Sequence, residues 1–296
     1  MPDTIQLEPL NRLAFGSCNK QKLSQPIWNQ VRKFDPDVWI WTGDAVYVEK
    51  GNATLSLSNA YKTQLENVDY LDFLQSGVRI DGVYDDHDYG RNDAGKKLPF
   101  RDTSQRLFLD FLGIAPHSRR RRRAGTYSAH WFGSGSNMSK VLLLDTRFHR
   151  DDHVLPSIGA ASFPMATLLA AASRWLCWAL GVTSMHQGDV LGEEQWAWLE
   201  AQLQGSGASL HVIVSSIQVF FSVPLFESWM HFPASRARLV RLLERHAPRG
   251  LVFLSGDVHH ADMAGPGPGG DGVLEVTSSG MTHTCATVWY GGVCAP

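Results

Sequence analysis

Four short clusters in this chain combine residues that can hold a metal ion. They are Cys18-Asn19, Gly43-Asp44 followed by Tyr47, Asp85-Asp86-His87-Asp88, and Gly256-Asp257-Val258-His259-His260. Carboxylate and phenolate oxygens suit hard, oxygen-loving cations, and imidazole accepts most transition metals. A single Gly-Asp is most simply a turn. Its recurrence with Tyr47, with His87 and with His259 points instead to a shared metal centre. Cys18 taken alone reads as a buried free thiol; beside Asn19 and in this company it reads as a ligand.

Such a centre needs elements that bring distant residues together. Each cluster follows a short apolar run, at 12–15, 37–41, 78–84 and 251–254. These runs read as strands. Further strands are expected at 125–132 and 140–144 as antiparallel neighbours, at 210–214 and at 273–276. Helices are expected at 25–34, 61–75, 103–112, 193–203 and 234–245, the first with Ile27, Val31 and Phe34 on one face. Strands alternating with helices argue for α/β layers. In open α/β sheets, ligands lie beyond the carboxyl ends of the strands. There is no internal repeat, and the glycine-rich stretch 264–272 reads as a turn. Residues 1–296 are read as a single domain, with 155–189 as an insertion or lid.

Composition excludes several classes. The 296 residues are 44% hydrophobic and 19% charged, which fits a globular core and not a disordered chain or coiled coil. Lys+Arg 27 against Asp+Glu 29 gives a net charge of −2, so no basic field invites nucleic acid. The run Arg119–Arg123 reads as a solvated basic loop, able to steer anions. No stable nucleic-acid partner is expected. Four scattered cysteines make no disulfide framework, and Cys285 and Cys294 could be either paired or reduced. Asn52 and Asn137 each start a glycosylation acceptor pattern that also arises by chance. The N-terminus is polar, so no secretory signal is expected. Residues 163–182 imitate a membrane span, but Pro164 and Arg174 make a buried or surface-packing helix the better reading, and membrane contact is not expected.

Taken in order, these motifs resemble a known family. Phe15-Gly16-Ser17-Cys18, Trp41-Thr42-Gly43-Asp44-Ala45-Val46-Tyr47, Tyr84-Asp85-Asp86-His87-Asp88-Tyr89-Gly90 and Ser255-Gly256-Asp257-Val258-His259-His260 look like PhoD-type alkaline phosphatases. These belong to the calcineurin-like metallophosphoesterases. Arg121–Tyr127, Leu143–Arg150 and Leu191–Leu199 agree. The resemblance implies an αββα sandwich of two mixed β-sheets flanked by helices. Relatives usually continue with further strands past Gly280, so the chain is expected to lack C-terminal strands.

The resemblance also implies a metal-dependent phosphoric ester hydrolase, a phosphomonoesterase or phosphodiesterase, attacking with a metal-generated hydroxide. Its substrate would be a phosphate-ester small molecule or a phosphodiester. Cys18, Asp44, Tyr47 and Asp257 would hold Fe3+. Asp44 would bridge to a second position, Ca2+ in described members, with Asp86 and His259 as further ligands; other divalent metals also fit. His87 would bind phosphate or protonate the leaving group. Asn92 and His260 are candidate substrate contacts. Arg147 and Arg150 either hold phosphate or form structural ion pairs with Asp145 or Asp151. Asp85 either orients its loop or ligates, and Asp88 either supports His87 or binds calcium. His149, His153 and His186 read as surface residues. The alternative is a catalytically impaired metal- or phosphate-binding protein on the same fold. Many relatives are exported or endomembrane, which leaves the compartment open.

Overall fold

The computed structural model describes residues 3–6, 8–48, 53–161, 165–221, 223–265 and 273–284. Asn52, Cys285, Cys294, the chain end at 291–296 and most of the 264–272 turn lie outside the described residues.

Two sheets face each other. The smaller has the order β2 (Leu13–Gly16), β3 (Val38–Thr42), β4 (Arg79–Val83) and is wholly parallel. The larger is mixed. Its order is β1 (Thr4–Gln6), β5 (Ser128–Phe132), β6 (Ser139–Leu143), β7 (Leu210–Val214), β8 (Leu251–Ser255), β10 (Leu274–Ser278), β9 (Ala261–Ala264). β5 and β6 are antiparallel, with His130 opposite Val141.

The alternation of side chains along each strand explains the layering, because successive residues point to opposite faces. In β3, Val38 and Ile40 face the larger sheet, where they meet Val141, Leu143, Val212, Val214 and Leu254. Trp39 and Trp41 face outward into an aromatic cluster with Trp28, Tyr70 and Phe73. On the far side of the larger sheet, Leu142, Ile213 and Phe253 pack with Trp196, Leu199, Leu239 and Leu243. Both sheets are thus covered on both faces, so their strands read as continuous apolar runs.

Helices α1 (Ile27–Phe34), α2 (Ala53–Leu65), α3 (Val68–Leu74) and α5 (Arg101–Phe111) cover the small sheet, whereas α7 (Glu193–Leu203) and α8 (Pro233–His246) cover the large one. A one-turn helix, α4 (Asp86–Tyr89), follows β4 directly. The single helix expected at 61–75 is two. Asn67 caps the second, accepting from the Asp69 and Tyr70 backbone N–H groups at 3.1 and 3.3 Å. The expected apolar face of α1 is also revised: Trp28 is its buried anchor, while Ile27 and Phe34 remain partly exposed.

The 155–189 segment carries α6 (Ala166–Ala179), which buries Ala166, Ala170 and Cys177 and leaves Leu168, Trp175 and Trp178 half-exposed. Among the described residues, no helix is long and apolar enough to cross a membrane.

The basic run is not a solvated loop. Arg120 is buried and bonds both Asp81 carboxylate oxygens at 2.8 and 2.9 Å. Arg121 reaches Asp110, and Arg123 reaches Asp3. Arg120 thus ties its loop to β4, Arg121 to helix Arg101–Phe111, and Arg123 to the residue before β1. His153 is likewise buried, against Glu227, and not a surface residue.

Candidate metal centre

The carboxyl ends of β2, β3, β4, β8 and β10 converge on one place. Cys18 leaves β2, Asp44 leaves β3, Asp86 opens α4 after β4, Asp257 leaves β8, and Ser279 follows β10. Cys18, Asp44 and His259 each place a ligand atom within 4.8 Å of the others. Asp44, Asp85, Asp86 and Asp257 do the same, also within 4.8 Å, so Asp44 belongs to both groups. Tyr47 completes the first: its hydroxyl lies 3.4 Å from His259 Nε2 and against Cys18 and Asp44.

The backbone is strained where these residues sit. Cys18 (φ 59°), Asp44 (φ 50°), Asp257 (φ 72°) and His259 (φ 58°) adopt the left-handed region that non-glycine residues avoid. Such strain persists only where the surroundings over-determine it, and it gathers at functional sites. Gly43 makes the turn possible. Its φ is +99°, and a Cβ there would stand 2.5 Å from Asp85 Cβ. Gly256 is equally hemmed in, since a Cβ would meet Ser17 Oγ at 2.5 Å and the Thr42 carbonyl oxygen at 2.6 Å.

Burial and mutual repulsion push the Asp44 carboxyl well above the usual carboxylate range, Asp86 contributing most among its neighbours. The same causes raise Asp257 and the Cys18 thiol. Burial raises Asp86, with His87 and Arg147 offsetting part of the effect. Burial, with Asp44 and Cys18 beside it, raises the Tyr47 phenol. His259 is pushed down to about 3 by burial and by the neighbouring His283. A bound cation would reverse the penalty on every one of these anionic forms. The residues present fit a metal on a second count too: Asp86 Oδ1 is buried and has no hydrogen-bond partner among the described residues. A buried carboxylate oxygen left so is costly unless something else binds it.

Asp85 and His87 belong to this convergence, His87 grouping with Asp44 and Asp86, whereas Arg147, Arg150, Asp88, His260 and Asn92 fall outside it. Arg147 is fully buried, donating to Asp85 from Nε at 2.7 Å and to Glu227 from Nη1 at 2.8 Å. It has no surface to offer a phosphate, so its part is to hold Asp85. Its carboxylate partners are thus Asp85 and Glu227; Asp145 accepts only its backbone N–H. Arg150 similarly pairs with Glu227 at 2.9 Å. Asp85 Oδ1 also accepts from Ser216 at 2.5 Å. Asp88 accepts from the backbone N–H groups of Ala45 and Asp85, so it braces the β3 and β4 loops and does not support His87. His260 bonds the Val258 carbonyl oxygen at 2.9 Å. The Asn92 amide sits beside Gly159. His87 remains accessible, with 29% of its side chain exposed and its ring 4.3 Å from that of Tyr47.

Several residues of the site have no local signal in sequence. Ser279 donates to Cys18 Sγ at 3.0 Å and accepts from the His259 backbone N–H at 2.8 Å. His283 packs its ring 4.5 Å from His259 and 5.1 Å from Tyr47. Gln21 clamps Tyr47 by bonding both its backbone N–H and its carbonyl oxygen.

The family model described as PhoD-like phosphatase matches residues 81–268. The chain belongs to the PhoD-like phosphatase family. The matched span holds Asp86, His87, Asp257 and His259, while Cys18, Asp44 and Tyr47 precede it. No curated protein matches the chain. Among solved structures, this chain resembles one described as PhoD, with TM-score 0.66 and 17% identity over 95% of this chain. The chain spans 58% of that protein's length. A dimetal phosphatase from Danio rerio aligns with TM-score 0.53 and 14% identity, covering 94% of this chain and 90% of its own. At these identities both neighbours speak to the fold, which is the two-sheet sandwich that the family resemblance implies.

Proposed function

We propose that this PhoD-like phosphatase hydrolyses phosphoric monoesters, diesters or both at a two-metal centre, with Cys18, Asp44, Tyr47 and Asp257 taking Fe3+ and Asp44 and Asp86 taking Ca2+. The observation that supports a two-metal centre is the double membership of Asp44, which stands in one ligand group with Cys18 and His259 and in another with Asp85, Asp86 and Asp257; the assignment of Asp257 to the Fe3+ side comes from the family resemblance. His259 therefore joins Cys18 and Tyr47 as a ligand or immediate neighbour. Thiolate and phenolate donors favour a ferric ion. Two metals in such a pair polarise the phosphoryl oxygens, lower the pKa of an attacking water and stabilise the leaving oxygen.

The chain's own residues do the rest. Asp44 accepts the His87 backbone N–H at 3.2 Å, which fixes the imidazole at the open side of the cluster. From there His87 can hydrogen-bond a phosphate or give a proton to the leaving oxygen. Arg147, through Asp85, keeps the loop after β4 in register. Because the centre draws on strands of both sheets, we read residues 1–296 as one domain.

The test is metal analysis of the purified protein together with turnover of 4-nitrophenyl phosphate and bis(4-nitrophenyl) phosphate. Bound iron and calcium with hydrolysis of either ester is the expected result, and the ratio of the two rates sets the substrate class. Absence of both metal and turnover would sink the proposal. Replacing His87 by Gln should lower kcat by about 10²–10⁴-fold.

A further inference from the structure

Asp93 was not singled out by any sequence motif, yet it touches the proposed centre on one side and the 155–189 segment on the other. Its backbone is left-handed (φ 55°). That turn aims its N–H at Asp86 Oδ2, 2.6 Å away. With Oδ2 so engaged, the oxygen left over is Oδ1, the buried one without a partner. The Asp93 carbonyl oxygen accepts from Arg150 at 2.6 Å. Its carboxylate lies beside the centre too, with one oxygen within 4.8 Å of carboxylate oxygens of Asp86 and Glu227, and it is held from the 155–189 side. Arg174 of α6 lies 3.1 Å from Asp93 Oδ2, and Ser157 donates to the same oxygen. Arg174 is itself fixed by the Leu225 carbonyl oxygen at 3.1 Å. Only 10% of the Arg174 side chain and 5% of the Asp93 side chain are exposed, so little water competes for the pair.

We propose that Asp93 is a positioning residue for Asp86, and that the 155–189 segment acts on the metal centre through it. Arg174 and Ser157 hold the Asp93 side chain. That fixes the strained backbone, and the strained backbone presents the N–H that orients the Asp86 carboxylate. Groups that orient a metal ligand in this way typically change metal affinity by about 10–100-fold when removed. The insertion is then a structural part of the site and not only a covering. This inference rests on the reading of Asp86 as a ligand.

The experiment titrates the full-length protein with Mn2+ alone and follows bound ion by calorimetry, alongside melting curves. Variants are Arg174→Gln, Arg174→Lys, Ser157→Ala, Asp93→Asn and the Arg174→Gln/Asp93→Asn pair. Asparagine tolerates the left-handed backbone, so Asp93→Asn removes the charge without adding strain. Arg174→Gln and Asp93→Asn should each weaken one Mn2+ site about tenfold. The pair should lose no more than either single variant, since both cut one connection. Arg174→Lys should recover part of the loss, and raised Mn2+ should restore kcat in every variant. Folded variants that bind Mn2+ within about twofold of wild type would overturn the inference. So would strictly additive losses, or melting temperatures that fall while Mn2+ affinity stays. Because the Asp93 carboxylate itself lies within 4.8 Å of an Asp86 carboxylate oxygen, the positioning role is decided by Arg174→Gln, and by Ser157→Ala if Arg174→Gln does not fold. Wild type that binds no metal would instead defeat the phosphoesterase reading itself, a result distinct from variants that match a metal-binding wild type.

Discussion

Two sets of carboxylates are buried in this protein, and their acidities move in opposite directions. Asp81, in the middle of β4, lies between Arg120 and His130, at 2.8 and 2.9 Å. Burial alone would raise its pKa, but Arg120 and the hydrogen-bonding His130 outweigh burial and hold it well below the usual range. Glu227 behaves alike between Arg147 and Arg150. Asp44 and Asp257 are no less crowded, yet their closest ionisable neighbours are other acids, and both are pushed up. The first kind of cluster is electrically complete within the chain. The second is completed only by an added cation, so one serves the fold and the other serves binding.

The sharpest way to break this contrast is Asp44→Asn. It removes repulsion from the acidic cluster but takes away the residue shared by both ligand groups. Activity should fall on the order of a thousandfold, about 4 kcal/mol in barrier, while the melting temperature of the metal-free protein does not drop. Near wild-type turnover would end the assignment of Asp44. Asp81→Asn should do the reverse. It leaves Arg120 buried without its counter-charge, a loss of about 3–5 kcal/mol in stability, with turnover per folded molecule unchanged. A melting curve and an active-site-normalised assay separate the two effects.

Metal removal sharpens the comparison further. Chelated protein given back a divalent ion at a hundred times its dissociation constant should gain roughly 2.7 kcal/mol of stability. The same gain should survive in Asp81→Asn and vanish in Asp44→Asn. The smallest effect is a pH dependence. The folded pKa of Asp81 is depressed, so its contribution is present above the unfolded value near 3.8 and is lost as pH falls toward the folded one. The stability gap between wild type and Asp81→Asn should therefore narrow as denaturant titrations move from pH 6 to below pH 4. A constant gap would mean that the loss comes from packing and not from charge.

Much of the site was legible in the chain itself. Cys18, Asp44, Asp86 and Asp257 each follow an apolar run that becomes a parallel strand, and in an α/β sheet that position points to one edge. The strand 210–214 and the helix 193–203 appear where periodicity places them. Tertiary structure decided what periodicity cannot carry. The arginines of 119–123 look alike in sequence, but only Arg120 meets Asp81, 39 residues earlier, and is buried with it. In sequence Arg147 reads either as a phosphate holder or as a structural ion pair with Asp145 or Asp151; Asp85 and Glu227, 62 and 80 residues away, close around it and make it structural. Ser279 and Asp93 carry no motif, because their roles lie in a hydrogen bond to Cys18 and a backbone turn toward Asp86. Local sequence determined which ligand types stand at which strand ends, since side-chain alternation and strand length are short-range properties. Which charges are paired and which are left for a metal depends on neighbours far along the chain, and only the packed sheets bring those neighbours within reach.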